Sequence, residues 1–195
     1  FALGRMTDNL PTFVVLPDPR GLPYNQKGNF GAGFLPVSHQ GTIFQMGAGE
    51  PISFLKPPVS AGFGGPAADR EGMEVLAAVN RRHLAADPGD SRLDARIQAY
   101  ELAARMQLSA PEVLDVSRES EATRRLYGLD RPVTEDFGRR CLIARRLIER
   151  GVRFVQIWSG AGGPSGNWDN HTSIPRELPP IATAIDQPAA ALITD

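Results

Sequence analysis

The stretch from Val152 to His171 constrains this chain more than any other. Val152, Phe154, Val155, Ile157 and Trp158 form an apolar, β-branched and aromatic run with few polar interruptions. That run predicts a strand over 152–158, buried on both faces of a parallel sheet. It breaks into Gly160, Gly162, Gly163, Pro164 and Gly166, which can continue neither helix nor sheet. The loop then delivers Trp168-Asp169-Asn170-His171. In open α/β sheets ligands sit beyond the carboxyl ends of the strands, so a carboxylate and an imidazole placed there are the leading chemical signal in the chain.

The segment before the strand agrees with this picture. Thr134 is placed to cap a helix with Glu135 and Asp136 in its first turn. Phe137, Cys141, Ala144 and Ile148 supply an apolar stripe, and Gly151 ends the helix. Arg139, Arg140, Arg145, Arg146 and Arg150 are expected on its solvated outer face. Helix, glycine and strand in succession make the second half of a parallel crossover unit.

The rest of the chain divides into loops and helices. Phe13-Val14-Val15-Leu16, bounded by prolines, reads as a buried strand. Residues 17–68 are dense in Gly, Pro, Ser and Asn yet carry many aromatic and aliphatic side chains, which predicts long ordered loops over a domain. Helices are expected over 69–150. Asp69 caps the first, Asp87-Pro88-Gly89 turns, and Ser91 with Asp94 opens the second in a capping-box spacing. Ser109-Ala110-Pro111 is expected to end that helix and start a short one, and a further one runs from about Glu119 to Tyr127 and stops at Gly128. A last helix is expected from near Pro180, kinked or split by Pro188.

Composition excludes several function classes. A net charge of −1 offers no electrostatic footprint for nucleic acid or a membrane surface. The single cysteine, Cys141, rules out an internal disulfide and a cysteine-built zinc site. No apolar run is long enough to span a bilayer, and no signal peptide is visible. Phe1 at the start, and a helical pattern still running at Asp195, lead to the expectation that this is part of a longer chain. The 195 residues are then read as part of one domain.

Asp169 and His171 are two apart, and in an extended loop alternate side chains point the same way. Two readings are open on spacing alone. Both residues approach one divalent cation, or Asp169 makes a local turn and His171 is an exposed loop histidine. His39, in Pro36-Val37-Ser38-His39-Gln40-Gly41, is a candidate ligand or acid/base group, against the plainer reading of a solvated loop histidine. His83, beside Arg81 and Arg82, is read as surface. The glycine-rich loops are not phosphate loops, because no Gly-Lys-Ser/Thr follows them, and no Gly-x-Ser-x-Gly elbow is present.

Taken together, several stretches resemble one bacterial family, the domain of unknown function 1501. They are Asn9–Leu16, Gly33-Phe34-Leu35-Pro36 with His39-Gln40-Gly41-Thr42, Tyr100–Ala103 with Arg105-Met106-Gln107, and Glu119–Thr123. Tyr127-Gly128-Leu129, Phe137-Gly138-Arg139 with Cys141-Leu142, Glu149–Gln156, Trp168–His171 and Asp186-Gln187-Pro188 complete the set, which covers nearly the whole chain. The family looks like a branch of the alkaline phosphatase and sulfatase superfamily. The resemblance implies an α/β sandwich around a largely parallel sheet, incomplete in this piece. It also implies a metal-dependent hydrolase of sulfate or phosphate esters, on small-molecule or polysaccharide substrates. Asp169 and His171 would be ligands of a divalent zinc, manganese or calcium ion, and His39 a weaker candidate for a substrate contact. The nucleophile would lie before Phe1, and further metal ligands after Asp195. Export to the periplasm or beyond is implied too. The alternative is a non-catalytic exported binding protein on the same fold, with Trp158, Trp168, Tyr24 and Phe30 as stacking surfaces for a polysaccharide, or with a protein partner.

Overall fold

The architecture is that of a computed structural model, which describes residues 6–35, 39–45, 66–86, 91–160 and 167–195. Strand β1 (Phe13–Leu16) lies at the centre of a small, open, parallel sheet between β2 (Thr42–Ile43) and β3 (Phe154–Ile157). Val14 aligns with Thr42 on one side and with Val155 on the other. The central position explains the unbroken apolar run: Val14, Val15 and Leu16 are all fully buried. The helices are α1 (Pro66–Ala86), α2 (Ser91–Leu114), α3 (Glu121–Leu126), α4 (Glu135–Glu149) and α5 (Ile174–Thr194). The class is mixed α/β.

The core forms where α4 lies on the sheet. Cys141, Leu142 and Leu147 of α4 pack with Val14 and Leu16 of β1, Val152, Tyr127, Val113 of α2 and Ala191 of α5. Gly151, at φ 88°, ends α4 and turns the chain into β3, as its position in the sequence predicts. The described part of the 17–68 region is ordered by the same logic. Phe30 and Phe44 are fully buried, and β2 is embedded in that region.

Several expectations are corrected. β3 is only partly buried rather than buried on both faces, with Phe154 54% exposed, and among the described residues it lies at an edge of the sheet. Thr134 precedes α4 without capping it; its hydroxyl donates to the carbonyls of Gly128 (2.6 Å) and Arg131 (3.3 Å). Arg140 and Arg146 are buried, not solvated, because α4 is covered on so wide a face that only backbone carbonyls and carboxylates can receive them. Arg146 donates to the carbonyls of Val113 and Glu112 and to the Glu119 carboxylate. The helix α2 runs through Pro111 to Leu114, since burial of Ala110 and Val113 holds that turn on the core despite the missing backbone donor. Likewise α5 starts at Ile174 and continues past Pro179, Pro180 and Pro188. Pro188 is buried in the core, and Gln187 beside it donates to the carbonyls of Arg125 and Leu126. Helix α1 begins at Pro66, so Asp69 falls inside its first turns rather than at its cap. The turn expected at 87–89 lies outside the described residues.

Candidate functional site

β1 and β3 are parallel, so both leave the sheet at the same end, and the segments that follow them meet there. Asp18 comes two residues after the end of β1, and Gly160 three after β3. They are tied directly: the Gly160 N–H donates to Asp18 Oδ2 at 2.8 Å. The backbone N–H and Nε of Arg20 donate to Asp18 Oδ1, and its Nη2 to Oδ2, each at 2.9 Å. Burial on its own pushes the Asp18 carboxyl up. The side-chain and backbone hydrogen bonds from Arg20, the Gly160 N–H and the Arg20 charge outweigh it and hold the group down at about 2.

A second tie comes from below. Arg140, on the first turns of α4, donates from Nη1 to the carbonyls of Pro17 and Trp158, the residues just past the ends of β1 and β3. Its Nη2 donates to Asp136 at 2.5 Å, and its guanidinium lies over the Phe137 ring, 5.1 Å from the centroid. Two buried charged groups, Asp18 and Arg140, therefore tie the two strand ends together.

Above these ties is a cleft of about 800 Å³. Asp18, Arg20 and Ser159 form one side of it, Asp136, Phe137 and Arg140 of α4 another, and the Glu177 and Ile181 turns of α5 a third. Asp169, Asn170 and His171 close the rim. Their loop is shaped locally. The Trp168 indole N–H donates to the Ser159 carbonyl (3.0 Å), and the Asn167 side chain accepts from the Asp169 N–H (2.8 Å). The turn is thus made by Asn167, which frees the Asp169 carboxylate to reach His171: Nδ1 of His171 is 2.7 Å from Asp169 Oδ1. Both side chains are exposed, at 66% and 76% for Asp169 and His171. The hydrogen bond to Asp169, and then its charge, raise the His171 pKa above its ordinary 6.5. An imidazole oriented at one nitrogen by a carboxylate leaves its other nitrogen for proton transfer or for a ligand.

The structure brings Asp169 and His171 together at the strand-end cleft. His39 sits elsewhere. It precedes β2, and β2 runs parallel to β1, so the half-buried His39 lies toward the amino-terminal end of the sheet, away from the cleft. His83 is exposed on α1. Among the proposed stacking residues, Phe30 is buried edge-on against Trp158, with centroids 5.7 Å apart, while Tyr24 and Trp168 are exposed. None of these four lines the cleft among its described residues. Residues 161–166 of the glycine loop lie outside the described residues. Asp18, Asp136 and Arg140 were missed in the sequence. For Asp18 the signal was present, an acid just beyond the carboxyl end of a buried strand; for Arg140 nothing marks it off from its four neighbours.

A divalent cation asks for more than the described residues offer. Among the described residues, no group of three or more His, Cys, Asp or Glu is placed to share an ion. Asp169 and His171 give two donors facing each other, and the Asp18 oxygens are already engaged by four N–H donors. Two donors do not complete a coordination shell.

A family model described as protein of unknown function (DUF1501) matches residues 1–195. No curated protein matches the chain. No solved structure matches it either. No helix among the described residues is long and apolar enough to cross a membrane.

Proposed function

We propose, for a chain that belongs to the DUF1501 family, that the cleft at the ends of β1 and β3 is part of the active site of an exported hydrolase of phosphate or sulfate esters, on an alkaline-phosphatase-like sandwich. The observation that carries the reading is the Asp169–His171 pair, 2.7 Å apart at the rim of the strand-end cleft. Asp169 fixes the imidazole and keeps it protonated to higher pH. As water attacks the phosphorus or sulfur, a protonated His171 gives its outward proton to the leaving oxygen, so that the ester bond breaks and an alcohol departs; the proton released by the attacking water restores the imidazolium. The metal that the family resemblance implies would take Asp169 and His171 from this chain, but the described residues do not complete its shell, and the acid–base role requires no such ion.

The test is hydrolysis of an alkyl phosphate and an alkyl sulfate, whose basic leaving oxygen needs the proton, by the wild-type protein and the His171→Gln and Asp169→Asn variants, with and without added zinc, manganese or calcium. General acid catalysis predicts a loss of about 10²-fold or more in kcat for His171→Gln. It also predicts a downward shift of the pH profile for Asp169→Asn. Elemental analysis run alongside reads the ligand role: bound metal that falls in both variants assigns them as ligands. No turnover under any condition overturns the hydrolase reading in favour of a binding protein on the same fold, and turnover indifferent to His171 overturns the acid role given to that residue.

A further inference from the structure

Helix α1 has an outer face that the described residues leave uncovered. Its main packing partner among the described elements is α2, toward which the half-buried Met73, Ala77 and Leu84 are turned. On the opposite side Val75 and Val79 are 60% and 58% exposed, one turn apart. Exposed Gly72 and Ala78 flank them, so another backbone can come close. Glu71 lies one turn before Val75 on this face, and Arg82 one turn after Val79. Among the described residues, neither charge is ion-paired within the chain.

This pattern has a polarity that selects its partner. The acid sits at the amino-terminal end of the apolar pair and the base at the carboxyl-terminal end. A two-fold axis through the middle of the pair, near Ala77, would run a second copy of α1 antiparallel to the first. Glu71 is six residues from that point and Arg82 five, about 9 Å and 8 Å along the axis at helical rise. Each Glu71 then meets the other copy's Arg82, twice over, with the valines between them. A parallel arrangement would set like charges against each other. Isologous contacts of this self-complementary kind are those of two-fold dimers.

We infer that the outer face of α1 is a homodimer interface, in which two copies of the helix pack antiparallel with Val75 and Val79 at the centre and Glu71–Arg82 pairs at both ends. The inference is independent of the activity proposed for the cleft.

Sedimentation velocity over a concentration series tests it, on the wild-type protein and the variants Glu71→Arg, Arg82→Glu, the double reversal, and Val79→Glu. All these positions are exposed, so the fold is not at stake, and circular dichroism checks it. The expected result is a wild-type dimer. Each single reversal should weaken it at least about tenfold, because two attractive contacts become repulsive at once. The double reversal should restore it, and Val79→Glu should abolish it. A wild type that stays monomeric overturns the inference and leaves the face to another part of the chain or another protein. A dimer unmoved by the substitutions, or not rescued by the double reversal, overturns it equally.

Discussion

Replacing Asp18 with asparagine keeps the shape of the side chain and removes its charge, at a position where four N–H donors converge on two carboxylate oxygens. The amide must turn an NH₂ toward at least one of those donors. The size of the effect follows from the same contacts. A carboxyl held at about 2, against an ordinary 3.8, stabilises the folded chain by about 2 kcal/mol. The Arg20 side chain is 54% exposed and can turn to water, so the ion pair adds little beyond that figure. The side chain of Asp18 itself is only 4% exposed, which protects the remainder from solvent screening. The sign is fixed by the direction of the shift. The folded value lies below the unfolded one, so the stabilisation is complete above 3.8 and is lost as pH falls through about 2. Urea unfolding of wild type and Asp18→Asn across this range reads the difference directly. A gap of about 2 kcal/mol is expected from neutral pH down to about 4, narrowing steadily below that. Hydrogen exchange at the Gly160 amide should quicken in the variant, because its charged acceptor is replaced by a neutral amide oxygen or by the NH₂. A gap below about 0.5 kcal/mol at neutral pH, or one equally large near pH 2, would refute the reasoning.

Two further outcomes are expected. Gly138→Ala sets helix propensity against sterics: alanine ordinarily gains about 1 kcal/mol over glycine inside a helix. Here its Cβ would fall 2.0 Å from the Tyr127 carbonyl oxygen, a backbone atom that cannot step aside. The clash should win, for a net loss of about 1–3 kcal/mol in thermal or urea unfolding, and a neutral or stabilised variant would count against this account. In Asp169→Asn the raised pKa of His171 should return toward 6.5 when followed by NMR titration of the ring protons. The pairing is complete below that value and fades as pH rises through the raised one, and a His171 titration unchanged by the substitution would show that Asp169 is not its partner.

The candidate site was half legible. Asp169 and His171 stood out because a buried-strand pattern, a glycine break and two polar donors followed one another within twenty residues, all of it local information. Asp18 was equally close to its strand, Phe13–Leu16, but lay at the head of a region read as loop and was passed over. Arg140 could not be found that way. Four arginines share the helix and a fifth, Arg150, follows it, and which of them is swallowed depends on how wide a face of α4 the sheet, α2 and α5 cover. His39 carried the opposite lesson. Its sequence context invited a functional reading, and the strand register places it toward the other end of the sheet.

By itself the sequence determined the places of β1, α4 and β3 and the ends of α3 and α4, because those are set by short-range physics. Apolar periodicity marked β1, α4 and β3, and Gly128 and Gly151, at φ 70° and 88°, stop α3 and α4 where only glycine adopts that backbone cheaply. The tertiary structure alone decided whether a proline breaks its helix, whether a strand is central or at an edge, and whether an arginine faces water or a carbonyl. Pro111 and Pro188 stay within helices because neighbouring segments bury those turns. Those outcomes turn on which distant segment lies alongside, and the energy of that contact exceeds any local preference the residue brings to it.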